Sequence, residues 1–245
     1  MNRDTPATDI KVCILDNDNL DPAVVDTYVS YGAMTEKMFA AAGTRWQFDR
    51  FNTTRLEYPD SFDDYDAVLL TGSRADSFSD EPWVQTLRAR VTDLLRQRKT
   101  MLGICFGHQL IALCMGAEVG RAPQGWGMGR MTYDWCGPTP LSADAPSTLS
   151  LLASHQDQVL TLPAGATLLA RSDFCPVAAY QVDDHVLCVQ PHPEFVEAYS
   201  AYLLEKRRAL VGEDVHAVAR AGLAQGHDGL QVACFMQAFV ERQQG

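Results

Sequence analysis

The chain has 245 residues, 47% of them hydrophobic and 21% charged, which excludes a disordered or fibrous protein and suffices to bury a core without disulfides or metal. Its formal net charge of -11 would repel a phosphate backbone, so nucleic acid is not an expected partner. The sequence lacks any stretch of about 18 apolar residues that would span a membrane, and its first residues, MNRDTPATDI, carry no apolar signal-peptide segment. Seven cysteines, an odd number without CxxC spacing and several in apolar runs, fit a reducing compartment, so a cytoplasmic location is expected.

Taken in chain order, Ile10 to Leu15 reads as a strand ended by the turn cluster Asp16 to Asn19. The spacing then predicts a helix from about Pro22 to Ala42, stopped at Gly43, followed by strands at Trp46 to Phe51 and Ala67 to Leu70. Pro82 opens an amphipathic helix with Val84, Leu87, Val91, Leu94 and Leu95 at helical spacing. Met101 to Cys105 is the next strand, and His108 to Met115 a helix closed by Gly116. Strands apolar on both faces in β-α-β-α-β order predict an α/β fold with a mostly parallel sheet covered by helices. Between about 120 and 190, short candidates at Gly129 to Tyr133, Thr167 to Arg171, Val177 to Gln181 and Val186 to Gln190 read as a small antiparallel or mixed addition. Two helices, Phe195 to Leu210 and Gly229 to Arg242, are expected to finish a single domain.

In the segment from Leu102 to Gln109, Cys105 stands where a strand meets a helix, flanked by Gly103 and Gly107. This is the order of a nucleophile elbow with cysteine in place of serine. Small residues permit the sharp turn, a helix N-terminus favours thiolate, and the Phe106 N–H is placed to face an oxyanion. On its own the segment reads equally as a buried strand-end cysteine between packing glycines. A nucleophile needs a base, and His192-Pro193-Glu194 ends an apolar strand with the imidazole and carboxylate on one side of the chain. Glu194 can hold one ring nitrogen and leave the other for Cys105. The remaining histidines carry less. His108 either lines the site or holds the turn, His185 reads as an exposed turn residue, and His216 and His227 as solvated. No His/Cys/Asp cluster has metal-ligand spacing, so no metal is expected.

These segments, with Thr71-Gly72-Ser73 after the third strand and Ser154-His155-Gln156-Asp157 between the Cys and His motifs, resemble the signatures of class I glutamine amidotransferases. Thr71 to Phe78 ahead of Pro82-Trp83, Gly125-Trp126 and Ser154 to Val159 are similar to stand-alone members that resemble the amidotransferase domain of GMP synthase, the γ-glutamyl peptidases among them. The resemblance implies a flavodoxin-like domain over about 10–210, with 211–245 as a helical extension packed on it. It implies a Cys105, His192, Glu194 triad and an oxyanion hole at Gly72 and Phe106. It also implies substrate contacts from Ser73, Gln109, His155, Gln156 and Asp157. Taken alone, Gln109 reads as an exposed helix residue and 155–157 as a polar loop. Pro191, before the histidine, departs from the family's usual residue. The implied chemistry is cofactor-free acyl transfer from a small γ-glutamyl substrate. With no P-loop and no room for an ATP-pyrophosphatase domain, either a separate synthetase subunit receives ammonia or the chain hydrolyses γ-glutamyl compounds itself. The readings from other classes are a catalytically silent regulatory homologue and a redox or chaperone cysteine-elbow protein. The roles of Arg74 and Trp126 stay open, Arg74 reading as a surface arginine.

Overall fold

A computed structural model describes residues 10–137 and 147–244. The N-terminal stretch read as free of a signal peptide lies mostly outside them. In chain order the elements are β1 (Lys11–Asp16), α1 (Val25–Tyr28), α2 (Tyr31–Ala41), β2 (Gln47–Asn52), β3 (Ala67–Leu70), α3 (Pro82–Arg96), β4 (Thr100–Ile104) and α4 (Phe106–Cys114). There follow β5 (Val119–Arg121), β6 (Gly127–Trp135), β7 (Thr148–His155), β8 (Asp157–Val159), β9 (Ala166–Arg171), β10 (Ala179–Val182) and β11 (Val186–Val189). The chain continues with α5 (Glu197–Lys206), α6 (Arg208–Val211), α7 (Glu213–Gly222) and α8 (Gly229–Glu241).

Alternation along β1 shows why the sheet is buried on both sides. Val12 and Ile14 face a core shared with Phe39 of α2 and Phe239 of α8, while Cys13 and Leu15 face α3 and α4. The main sheet runs β2-β1-β3-β4-β11-β10-β9-β6-β7. Pairings from β2 to β11 are parallel and those from β11 to β7 antiparallel, so the α/β reading and its antiparallel addition both hold. Parallel order brings the C-terminal ends of β3, β4 and β11 side by side, and the Gly72, Cys105 and His192 segments leave from those ends.

Three expectations need correction. The first long helix is two, because Val29 turns to φ 65° and Ser30 caps α2 by accepting the Ala33 N–H at 3.1 Å. Among the described residues the end of the chain holds four α-helices rather than two. The 155–157 stretch, a polar loop when read alone, lies largely in strands: His155 ends β7 and Asp157 opens β8, which pairs with β5 in a separate two-stranded ribbon. Among the described residues no helix is long and apolar enough to cross a membrane, and no group of three acidic, His or Cys side chains is set to hold a metal.

Candidate active site

Cys105 follows the last residue of β4 and precedes the first of α4, with φ 51° and ψ -100°, a backbone state that side-chain-bearing residues rarely adopt. Its N–H donates to the Val189 carbonyl at 2.9 Å and its carbonyl accepts from Gln109 N–H at 3.0 Å, so β11 and α4 pin the turn from both sides. A Cβ on Gly107 would lie 2.4 Å from the Leu70 carbonyl oxygen, which is why only glycine lets α4 start so close to β3. A Cβ on Gly72 would lie 2.8 Å from His192 Cε1 and 3.7 Å from Cys105 Cβ, which locates these three residues at one point. The strand end before Gly72 is braced. Asn17 donates its backbone N–H to Thr71 Oγ1 at 2.9 Å and its side-chain amide to the Thr71 carbonyl at 3.0 Å. Phe106 lies in the first turn of α4, where N–H groups have no intrahelical acceptor.

His192 is reached by a different route. After β11, its N–H donates to the Leu152 carbonyl at 2.8 Å, a single bridge to β7. Its Nδ1 lies 2.7 Å from Glu194 Oε1, both side chains being buried, and its ring stacks on Phe195 at 3.8 Å and 11°. Burial pushes the imidazolium down, but the Glu194 carboxylate and a hydrogen-bonded Cys105 outweigh it and hold His192 up at about 10. The side chain therefore favours the charged form next to the sulfur.

Cys105 opens into a shallow, solvent-open cleft, and Ser73, Gln109, His155, Gln156 and Asp157 all line it. Gln109 is buried rather than exposed; its Nε2 donates to the Asp157 carbonyl at 2.9 Å and to Gln190 Oε1 at 3.2 Å. The Ser73 hydroxyl accepts from Ala75 N–H at 3.1 Å. His155 Nδ1 lies 3.2 Å from the Asp157 carbonyl, and burial next to His192 drops its pKa to about 3, so it is neutral. Asp157 pairs with Arg121 at 2.6 Å, and Arg121 reaches Asp76 at 2.9 Å. Burial raises the Asp157 carboxyl to about 6; Arg121 pulls it down and Asp76 pushes it up.

Arg74 and Trp126 also line the cleft. Arg74 keeps a 54% exposed side chain but is fixed to Asp18, so it is not a free surface arginine. Sequence reasoning misses Asp76, Arg121, Gln190 and Arg207. Asp76 and Gln190 sit inside the motif segments, Gln190 reaching the site through Gln109, while Arg121 and Arg207 come to the Cys105 cleft through long-range folding. His108 is wholly buried against Tyr180 and does not line the cleft. His185 and His216 are buried too, His216 with Nε2 3.1 Å from Glu205, which corrects their reading as exposed or solvated.

The sequence model of the family described as glutamine amidotransferase class-I matches residues 23–206. The chain is 35% identical over 180 residues to gamma-glutamyl peptidase 3 of Arabidopsis thaliana, covering 70% of this chain and 72% of that protein. It is 34% identical over 145 residues to a glutamine-hydrolyzing GMP synthase subunit of Methanocaldococcus jannaschii, covering 58% of this chain and 72% of that protein. In fold it is similar to a glutamine amidotransferase of Thermotoga maritima, with TM-score 0.75, 19% identity and coverage of 95% and 99%. By its family match, its relatives and its fold, the chain belongs to the class I glutamine amidotransferases.

Proposed function

We propose that the chain, an enzyme of the class I glutamine amidotransferase type, hydrolyses γ-glutamyl amide bonds through a thioester on Cys105. The relatives named gamma-glutamyl peptidase support γ-glutamyl or glutamine amide hydrolysis. The observation that carries the mechanism is the buried chain Cys105, His192, Glu194, closed at 2.7 Å on the carboxylate side and abutting Gly72.

The Cys105 sulfur bonds to the γ-carbonyl carbon, and the carbonyl π pair moves onto oxygen, where the N–H groups of Gly72 and Phe106 receive it. The C–N bond then breaks as His192 gives its proton to the departing nitrogen. Water next adds to the thioester, His192 takes its proton, and the C–S bond breaks to return Cys105 and free glutamate. Glu194 holds the imidazole in the tautomer and orientation both steps need. Gln109, His155, Gln156, Asp157 and Ser73 line the space for the glutamyl head.

A second reading, a glutaminase subunit supplying ammonia to a separate synthetase, is favoured by the likeness to the Methanocaldococcus jannaschii GMP synthase chain. One experiment separates them: incubate the purified chain with glutamine, glutathione and γ-glutamyl dipeptides, following glutamate and ammonia, with Cys105→Ala as control. The expected result is glutamate release from peptides by the chain alone, falling at least ~10³-fold in Cys105→Ala, with an acyl adduct on Cys105 seen by mass spectrometry. Turnover of glutamine only, or equal turnover without Cys105, overturns the proposal.

A further inference from the structure

Beside the cleft lies a second, solvent-open pocket of about 160 Å³, and Arg74 and Arg207 border both spaces. Tyr31 walls this second cavity, its ring 6.3 Å from that of His192, its hydroxyl bonded to Tyr199 at 3.1 Å. Under the hydrolytic reading His192 protonates the departing nitrogen, so the leaving amine exits on the His192 side. The cavity floored by Tyr31 therefore receives whatever the nitrogen carries. Ammonia needs no such space; an amino acid or dipeptide does.

Charge narrows the occupant. Among the described residues, every other aspartate, arginine and lysine bordering the two spaces has an opposite partner. Arg74 pairs with Asp18, Lys206 with Asp21, and Arg121 with both Asp76 and Asp157. Arg207 has no carboxylate partner among the described residues. It is half-buried and held in place rather than loose: its guanidinium lies 5.1 Å from the centre of the Trp126 ring and donates to the Ser154 hydroxyl. Ser154 lies two residues along β7 from Leu152, whose carbonyl takes the His192 N–H, so Arg207 stands on the His192 side. The glutamyl head, a zwitterion, finds both signs at the other end in Arg121, Asp76 and Asp157. An immobilised arginine with free N–H groups is suited to a planar carboxylate.

We infer that Arg207, seated on Trp126, binds a carboxylate of the leaving group, so that the enzyme selects γ-glutamyl peptides with a free C-terminal carboxylate over glutamine and capped amides. The inference rests on the hydrolytic reading above and adds a specificity residue to it. Its test compares kcat/KM for γ-glutamylglycine, for the same compound capped as the glycinamide, and for glutamine, using the full chain and the Arg207→Met and Arg207→Lys variants. The wild type is expected to prefer the free acid over its capped twin by roughly tenfold or more, the effect of one charge-assisted contact. Arg207→Met brings that ratio close to one, and Arg207→Lys recovers part of it. Equal loss on both substrates in Arg207→Met, at unchanged melting temperature, overturns the inference and moves Arg207 to the glutamyl head. So does a wild type with no preference. Failure of the hydrolytic reading looks different: no Cys105-dependent turnover of any γ-glutamyl peptide, capped or free. Calorimetric binding of the free acid and the capped compound to Cys105→Ala then still reads the carboxylate preference, and equal affinities there overturn the inference.

Discussion

Cys105 holds its reactive geometry at a cost that can be measured. A φ of 51° with ψ -100° lies outside the favoured regions for any residue with a Cβ, and such strain costs about 1–3 kcal/mol. Glycine escapes it but loses more chain entropy on folding, which costs about 0.4–1 kcal/mol. The first effect is the larger, so Cys105→Gly is expected to be more stable than Cys105→Ala although neither has a thiol. The difference comes to about 1 kcal/mol, or roughly 2–4 °C in melting temperature by scanning calorimetry. An alanine variant that melts at the same temperature or higher removes the strain from the account of this turn. The triad is legible at this scale because motif and chemistry coincide in Gly103 to Gly107 and in His192 to Glu194. Arg207 is not, since no local pattern announces that an arginine after α5 lands on Trp126.

The two-stranded ribbon β5–β8 shows how a short element shapes the cleft. Three residues a side are too few to be stable or recognisable alone. Packing on α4 and the Ala122 N–H bond to the Gln156 carbonyl at 2.8 Å hold it in place. Its register sets Arg121 opposite Asp157, and their ion pair with Asp76 forms the end of the cleft where we propose that the zwitterionic glutamyl head sits, its ammonium beside Asp157. Asp157 titrates at about 6, raised first by burial, so its negative charge is present above that pH and lost as pH falls through it. KM for a γ-glutamyl substrate is therefore expected to rise severalfold between pH 7 and 5, while Asp157→Asn has a raised KM with a flatter pH profile in the same range. Parallel profiles for the two proteins count against Asp157 as the ammonium's partner. Strand β7 escapes sequence reasoning for a related reason. Its serines break the apolar run, yet Ser150 bonds Thr132 and Asp228 and Ser154 bonds Arg207, partners that only the folded chain supplies.

Across the whole molecule, the parallel half of the sheet is readable because Val12 to Leu15, Ala67 to Leu70 and Met101 to Ile104 are apolar on both faces, a pattern few other structures produce. The antiparallel half and the last helices are less so. Helix α7 buries only His216 and Ala219 and is fixed by Ala219 against Gly129, where a Cβ would lie 2.7 Å from the alanine methyl. Helix α8 is different in kind: Val232, Phe235, Met236, Phe239 and Val240 are buried in the same core as Ile10, Trp46 and Phe39. At about 1.5–3 kcal/mol for each such side chain, those five contribute roughly 7–15 kcal/mol. That equals the whole net stability of an ordinary domain, about 5–15 kcal/mol. We therefore read 211–245 as part of the domain and not as an appendage. A chain ended after Val211 is expected to lose cooperative thermal unfolding and to bind a hydrophobic dye, while the full chain melts in one transition. A truncated protein that melts cooperatively within a few degrees of the full chain overturns this, since the sheet face under α8 would then need no cover.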